Sequence, residues 1–137
     1  MKQLAPSILS ADFICLGEQL KQLQKLCIHY LHIDVMDGMF VPSISFGMPV
    51  IASLRKHTDM FFDVHLMIEE PIRYVNALRQ AGADGLTVHA EACADLPGTI
   101  AAIRESGAKP AVCLSPKTPL SKLDGILDQV DMVLIMG

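Results

Sequence analysis

The sequence predicts an α/β fold built on a parallel β-sheet, and two observations carry this prediction. First, six short apolar runs typical of strands recur at nearly regular intervals, starting at residues 4, 30, 60, 85, 111 and 131. Second, the segments between these runs carry apolar residues at helical spacing. Strands that alternate with helices are typical of parallel sheets, because each right-handed crossover places its helix on the outer face of the sheet.

The individual elements follow from short signals taken in order along the chain. We predict strands over residues 4–9, 30–36, 60–67, 85–89, 111–114 and 131–136. The apolar stripes between them are Leu16, Leu20, Leu23 and Cys27; Ile72, Val75 and Leu78; Ile100 and Ile103; and Leu120, Leu123 and Leu127. Pro71 suits a first helical turn, and Gly82 and Gly107 suit helix ends.

Polar residues near the ends of two strands distinguish between an open doubly wound sheet and a (β/α)₈ barrel. An open sheet needs nearly continuous apolar strands, because helices cover both of its faces. The strands at 30–36 and 60–67 instead carry polar residues on one face toward their carboxyl ends. Active sites of barrels lie at that end, so we predict a TIM barrel. About six of the eight βα units are present, and residues 1–137 are expected to form one incomplete barrel domain, truncated at the C-terminus.

Composition and charge argue against several classes of protein. Hydrophobic residues make up 51% of the chain, which favours one domain with a sizeable core. The net charge of −4, without runs of lysine or arginine, argues against nucleic acid or a membrane surface as a partner. No apolar run suits a signal peptide or a membrane span. The spacing of Cys15, Cys27, Cys93 and Cys113 predicts reduced thiols in a cytoplasmic protein.

The stretch YLHIDVMDG, residues 30–38, alternates apolar and polar side chains. Side chains on a strand point alternately to opposite faces, so His32 and Asp34 should share the inner face while the apolar residues face the helices. His65 has the matching parity on the next strand, FFDVHLM. Two imidazoles and a carboxylate suit one divalent metal ion, Zn²⁺, Fe²⁺, Mn²⁺ or Co²⁺. The alternative is two buried histidines hydrogen-bonded to Asp34 without a metal.

Methionines and a serine accompany this polar cluster. Met36, Met67 and Met136 end three of the strands. They either fill gaps in the core or form an apolar lining that excludes water from a reactive intermediate. Ser7 either donates a hydrogen bond to a ligand or caps a turn.

Three more polar residues lie on strands near the predicted metal ligands or directly after them. We expect His89 and Glu91 to orient metal ligands or substrate without being ligands themselves. Asp63 lies deeper in its strand, which favours a structural hydrogen-bonding role. The loop that follows Asp37 and Gly38 is expected to cover the mouth of the pocket.

The motifs APSILSADF, LHIDVMDG followed by FVP, FFDVHLMI, HAE, LSPKTP and VDMVLIM resemble the ribulose-phosphate 3-epimerase family. They follow that family's order and spacing across nearly the whole chain. The resemblance implies a barrel of the ribulose-phosphate-binding type and an isomerase of the pentose phosphate pathway. Such an enzyme interconverts D-ribulose 5-phosphate and D-xylulose 5-phosphate at C3 through a metal-stabilised enediolate.

The resemblance also implies roles for individual residues. His32, Asp34 and His65 match metal ligands, and Asp34 matches one of two catalytic acid/base aspartates. The residues that match substrate contacts are Ser7, His65, Met36, Met67 and Met136. The second catalytic aspartate, on the seventh strand, and the phosphate-binding loops have no counterpart in this chain. We therefore expect the activity of the 137-residue form to be impaired.

Two alternatives to this epimerase stay open. The chain could be a non-enzymatic short isoform or pseudoenzyme that associates with full-length epimerase. The first and sixth strands would be open barrel edges, which favours association with other chains, including a homo-oligomer. Within the enzyme class, a hexulose-6-phosphate 3-epimerase is the nearest rival. In either enzyme the partner is a small phosphorylated ketose.

Overall fold

Five parallel strands form the sheet in a computed structural model that describes residues 2–137. The strands are β1 (Tyr30–Met36), β2 (Phe61–Met67), β3 (Gly85–His89), β4 (Lys109–Leu114) and β5 (Met132–Ile135). Each strand pairs with the next one along the chain. Because the order of the strands in space follows the sequence without a reversal, the sheet is a continuous arc, as in a barrel.

Four α-helices connect the strands or precede them: α1 (Leu16–Lys25), α2 (Met48–Arg55), α3 (Val75–Ala81) and α4 (Leu96–Glu105). The predicted helix signals at Pro71, Gly82 and Gly107 are confirmed. Pro71 begins a 3₁₀ turn that leads into α3. Gly82 and Gly107 follow the ends of α3 and α4 with φ of 125° and 88°, a backbone region that favours glycine.

The predicted first strand, residues 4–9, is wrong as an extended element. Only Ser7 pairs with β1, in a single parallel bridge to His32, whose backbone N–H donates to the carbonyl of Pro6 at 2.9 Å. Pro6 has no N–H to donate to a ladder. The Ser7 hydroxyl accepts from the Leu9 N–H and begins a 3₁₀ helix, Ile8–Ser10, which ends the extended conformation.

Two further differences concern helices. The stripe of Leu120, Leu123 and Leu127 predicts one helix, but the structure has two 3₁₀ turns, Leu120–Leu123 and Leu127–Gln129. Gly125 separates them with φ of 73°, which breaks the helical path. The sequence analysis missed α2, which is one of the shorter helices; its signals were Pro49 in the first turn and a buried pair three residues apart, Ile51 and Leu54.

The two faces of β1 differ as the alternation predicts. The outward residues Leu31 and Ile33 have no exposed surface, and Val35 is buried. They join one apolar core with residues of the covering helices, among them Leu20, Ile51 and Leu78. The inward face carries the polar residues, so the apolar core holds the helices while the inner face of the sheet is left for the site.

Two other sequence predictions can be compared with the structure. Within residues 2–137, no helix has the length and apolar character that crossing a membrane would need. All four cysteines are free thiols, and of these Cys27 is exposed and Cys113 is buried.

Candidate metal centre

Three side chains converge on the inner face of the sheet, near the carboxyl ends of β1 and β2. The strand register places Asp34 directly opposite His65. Asp34 Oδ1 lies 3.2 Å from Nε2 of His32 and 3.1 Å from Nδ1 of His65. The three residues predicted as metal ligands therefore present one donor atom each to a common point.

The opposite side of each of these groups is held by another residue. His32 Nδ1 lies 2.8 Å from Asp63 Oδ2, and Asp63 Oδ1 accepts from Thr87, which fits the structural role expected of Asp63. Ser7 donates its hydroxyl proton to Asp34 Oδ2. Asp34 Oδ1 is thereby left facing the two imidazoles, while Asp63 and Ser7 fix the orientation of His32 and Asp34.

Electrostatics keep Asp34 and His32 charged in the metal-free protein. Burial disfavours both charged forms, but their mutual contact outweighs it. Hydrogen bonds to Asp34 and Asp63 raise the pKa of His32 to about 9. Hydrogen bonds from His32, His65 and Ser7 hold the pKa of Asp34 well below its usual range. The carboxylate is thus ionised at neutral pH and available to a cation.

The methionines and the ligand candidates share one cleft. It has a volume of about 540 Å³, and its lining includes Met36, Met67 and Met136 together with His32, Asp34 and His65. Ser7 does not line this cleft and reaches the site only through its bond to Asp34. Another cavity, of about 410 Å³, lies at the amino ends of the strands and contains none of the predicted site residues. We therefore regard the first cleft as the candidate site.

His89 and Glu91 extend the polar network away from this cleft. His89 has no exposed surface, and its Nε2 lies 2.8 Å from Nε2 of His65. Its other nitrogen, Nδ1, lies 3.4 Å from Glu91 Oε2 and 3.3 Å from Ser115 Oγ. Burial, together with the nearby His65, lowers the pKa of His89. Phe40, from the loop after β1, packs on the His89 ring at 4.8 Å between centroids, so that loop reaches over the network.

A second set of potential ligands shares His65. The Sγ atom of Cys113 and nitrogens of His65 and His89 lie within 4.8 Å of one another. Burial raises the pKa of Cys113 to about 12, which disfavours the thiolate that a metal requires. The two imidazole nitrogens are already at hydrogen-bond distance, and within residues 2–137 every buried side-chain nitrogen and oxygen has a partner. The hydrogen-bonded arrangement therefore explains this cluster without an ion.

Sequence analysis missed the hydrogen bonds by which three carboxylates, among them that of Glu91, join successive loops above the sheet. Asp37 Oδ2 accepts the Glu69 N–H at 2.8 Å, and Glu70 Oε1 accepts the Ala94 N–H at 2.8 Å. Glu91 Oε1 accepts the Ser115 N–H at 2.7 Å. An acidic residue shortly after each of three strands was the available signal, although its partner lies on the following loop. These bonds hold the loops around the site in a fixed order.

Comparison with known proteins identifies close sequence relatives. The model of the ribulose-phosphate 3 epimerase family matches residues 3–137. Ribulose-phosphate 3-epimerase of Bacillus subtilis is 51% identical over 99% of this chain and 63% of its own length. The Rhodobacter capsulatus enzyme is 44% identical over 98% of this chain and 59% of its own length. The chain thus spans about three fifths of the length of these curated relatives.

Solved structures with the same fold are more distant in sequence. A mutant tryptophan synthase alpha-subunit from Pyrococcus furiosus matches with a TM-score of 0.66 at 16% identity, covering 97% of this chain and 64% of that one. The tryptophan synthase alpha-subunit of Legionella pneumophila matches with a TM-score of 0.65 at 17% identity, covering 99% and 62%. At this identity the likeness concerns the fold alone, and it confirms the prediction of a partial (β/α)₈ barrel.

Proposed function

The chain belongs to the ribulose-phosphate 3-epimerase family, and we propose that it supplies the metal-binding side of an isomerase that inverts C3 of a phosphorylated ketose. The proposed substrate pair is D-ribulose 5-phosphate and D-xylulose 5-phosphate. The observation that carries the proposal is that His32 Nε2 and His65 Nδ1 lie 3.2 Å and 3.1 Å from Asp34 Oδ1, with all three residues lining the cleft. This position, at the carboxyl ends of barrel strands, is where barrel enzymes hold their substrates.

The chemistry of the donor atoms fits a divalent metal. Two imidazole nitrogens and one carboxylate oxygen suit Zn²⁺, Fe²⁺, Mn²⁺ or Co²⁺ and leave coordination positions for other ligands. Both rings are also held through their second nitrogen, as is usual for histidines that bind metals. A metal bound by these three residues would act as a Lewis acid that stabilises negative charge on the substrate's ketone oxygen.

The residues of the chain divide the remaining tasks between them. Asp34 is an ionised carboxylate that lines the cleft, and we assign to it the acceptance of the proton that leaves the carbon next to the ketone. Ser7 holds the other carboxylate oxygen and orients Asp34. Met36, Met67 and Met136 supply an apolar lining that limits the access of water to the carbanionic carbon. We propose the same methionines and His65 as substrate contacts, whereas Ser7, which was expected to contact the substrate, acts through Asp34.

Proton exchange at C3 tests this assignment more directly than turnover does. The chain is incubated in D₂O with D-ribulose 5-phosphate and Mn²⁺, Fe²⁺ or Zn²⁺. Because Asp34 is the one acid/base residue that we assign in this chain, we expect deuterium at C3 with little inversion to xylulose 5-phosphate. The loss of the C3 proton signal is followed by NMR, and xylulose 5-phosphate by a coupled assay.

Asp34→Asn is the matched variant, because it keeps the size of the side chain and removes its basicity. We expect exchange to fall about 10²- to 10⁴-fold, the usual contribution of an acid/base group. Equal exchange by the variant would contradict the role of Asp34. A parallel incubation with a hexulose 6-phosphate tests the rival substrate class, and faster exchange there would assign the chain to that substrate.

Association with other chains also remains a prediction. The outer strand β5 is poorly covered, with Ile135 69% and Met132 40% exposed. Exposed apolar residues along a strand at the edge of a sheet favour pairing with another polypeptide. Light scattering coupled to gel filtration measures the mass in solution, and a monomer at all concentrations would contradict association of the chain with itself.

A further inference from the structure

The rings of His65 and His89 meet edge to edge. Their planes are tilted by only 21°, and their centroids lie 4.9 Å apart. The two Nε2 atoms are 2.8 Å apart, so most of the distance between the centroids is accounted for by a hydrogen bond in the plane of the rings. Stacked rings would instead bring their faces together. One proton must lie between the two Nε2 atoms, since two protons would clash and two lone pairs would repel each other.

The position of this proton depends on what His65 does at its other nitrogen. A neutral imidazole carries a single proton, so a metal at Nδ1 of His65 requires the proton to be on Nε2. His65 then donates to His89, and His89 must carry its own proton on Nδ1. That proton faces Glu91 Oε2 at 3.4 Å and Ser115 Oγ at 3.3 Å, both of which can accept it.

The reverse arrangement satisfies the same contacts without a metal. His65 Nδ1 then donates to Asp34 Oδ1 at 3.1 Å, and His89 Nε2 donates to His65. The Ser115 hydroxyl donates to His89 Nδ1 at 3.3 Å. Both rings have exchanged tautomers, although no proton has been gained or lost overall. The carboxylate of Glu91 disfavours this second arrangement, because it then faces a lone pair rather than an N–H.

The hydrogen-bonded series His65, His89 and Ser115, which we call the relay, ends in the loop after β4. Glu91 Oε1 accepts the Ser115 N–H at 2.7 Å, which keeps the carboxylate beside His89. Burial alone would raise the pKa of Glu91, but hydrogen bonds from Thr118 and from backbone amides lower it, so the carboxylate is ionised. Phe40 covers the His89 ring and limits its rotation.

We propose that His89 is a positioning residue that, biased by Glu91, sets the tautomer of His65 and so presents the lone pair of His65 Nδ1 to a metal. The proposal rests on the metal site proposed above. Metal binding reverses the hydrogen bonds along His65, His89 and Ser115, and it thereby couples the site to the loop after β4. His89 and Glu91 remain outside the set of ligands.

Zinc affinity of four variants, measured by competition with a chromophoric chelator, tests the relay. His89→Phe keeps a flat ring but cannot accept the hydrogen bond from His65, and we expect affinity to fall about 10- to 100-fold, as for other partners of metal-binding histidines. His89→Gln retains an amide oxygen that can accept from His65 and should recover part of this loss. Glu91→Gln should lose less than about tenfold. Glu105→Gln removes an exposed charge on α4 and should have no effect.

Nitrogen-15 NMR of the histidine rings supplies a readout that a merely structural role would not change. In the zinc-loaded chain we expect His65 protonated at Nε2 and His89 protonated at Nδ1. Glu91→Gln should raise the fraction of His89 protonated at Nε2 in the metal-free chain. His89 protonated at Nε2 in the zinc-loaded chain would overturn the relay, and so would unchanged affinity in His89→Gln and Glu91→Gln, which are the variants least prone to misfolding.

Two further outcomes separate the relay from the proposed function. Zinc binding without C3 exchange would contradict the catalytic proposal and leave the relay to be judged by the variants, whereas no zinc binding by the unaltered chain would overturn both. Co²⁺ provides the last arm, because thiolate ligation gives an intense near-ultraviolet band. If such a band were present and were lost in Cys113→Ala, the metal would lie between His65, His89 and Cys113, and the relay would be wrong.

Discussion

The two ends of the same sheet use charged residues in opposite ways. At the amino ends of β2 and β3, Arg55 donates to Asp84 Oδ2 at 2.9 Å, to the carbonyl of Met60 at 2.9 Å and to the carbonyl of Thr58. Its guanidinium also lies 3.9 Å above the ring centre of Phe62. At the carboxyl ends, Asp34 and its two histidines direct donor atoms toward a cleft.

The difference shows which end is built for stability and which for binding. The donors of Arg55 are directed at neighbouring strands and loops, so the residue joins the start of β2 to the start of β3. Asp34, His32 and His65 are fixed from behind, but their remaining atoms face each other across a space that a cation fits. Charges at the carboxyl end should therefore control ligand affinity, and charges at the amino end should control folding.

Loss of a ligand at the carboxyl end should have the largest effect. We expect Asp34→Asn to weaken zinc binding more than about 100-fold, beyond the loss typical of residues that only support a ligand. The variant should keep the far-ultraviolet circular dichroism of the unaltered chain, because the covering core does not involve Asp34. Isothermal titration measures the affinity. A change of less than tenfold would show that Asp34 is not a ligand.

Loss of Arg55 should affect the stability of the fold and leave zinc affinity nearly unchanged. Arg55→Ala removes its bonds to Asp84 and to three carbonyls, those of Thr58, Met60 and Gly82, and we expect the free energy of unfolding to fall by about 2–3 kcal/mol. Zinc affinity of the folded fraction should stay within about twofold, because the site lies at the other end of the sheet. Arg55→Lys keeps a charge near Asp84 but loses the planar fork, so its loss should be intermediate. Urea unfolding and zinc titration of both variants measure stability and affinity. If zinc affinity fell together with stability, the two ends of the sheet would not have separate roles.

A smaller effect is expected at Gly82, which packs against the same arginine. Its φ is 125°, and an added Cβ would lie 2.5 Å from Cδ of Arg55. We expect Gly82→Ala to lower the free energy of unfolding by about 1–2 kcal/mol. In the Arg55→Ala background the clashes with Cδ and Cγ should vanish, so the loss should be smaller, while the contact with Cβ of residue 55 at 2.9 Å and the backbone part remain. Equal losses in both backgrounds, measured by urea unfolding, would contradict the steric contribution.

Thiol reactivity should give the smallest distinction between the two ends. Cys27 is exposed near the amino end of β1, whereas Cys93 and Cys113 lie toward the carboxyl ends of the strands. Burial raises the pKa of Cys93 to about 11 and that of Cys113 to about 12. A thiolate is the reactive form, so alkylation of Cys93 should still rise about tenfold per pH unit between pH 8 and about 10.

Mass spectrometry of iodoacetamide-treated protein follows each cysteine separately, and Cys93→Ser is the control for assignment. Cys27 should be modified first. A rate at Cys93 that levels off below about pH 9 would show that its pKa is not raised. Modification of Cys113 as fast as Cys27 would contradict the tight covering of the carboxyl end.

Much of the candidate site was predictable because strand parity is a property of local sequence. His32 and Asp34 share a face because they are two residues apart, and His65 was placed beside them by its motif. The hydrogen bond between His65 and His89 was less accessible to sequence analysis. It depends on the register of β2 and β3, which the sequence of either strand alone does not specify.

The errors in the fold prediction have a common cause. Residues 4–9 look like a strand by composition, but Pro6 lacks a donor and the Ser7 hydroxyl begins a turn instead. Leu120, Leu123 and Leu127 have helical spacing, but Gly125 divides them. In both places one or two residues with special backbone preferences override an apolar pattern, and the spacing of the apolar residues carries no sign of this.

The sequence by itself determined the alternation of strands and helices, the inward face of β1 and the residue types that suit a metal, because period and chemistry are local. Tertiary structure decided which atoms of these residues meet. It turned Asp34 Oδ1 toward two imidazoles, set His89 against the far side of His65 and closed successive loops with Asp37, Glu70 and Glu91. The loop contacts join residues 24 to 32 positions apart in the sequence. The contacts of Asp34, His65 and His89 depend on how the strands pair, so packing of the whole sheet fixes both sets.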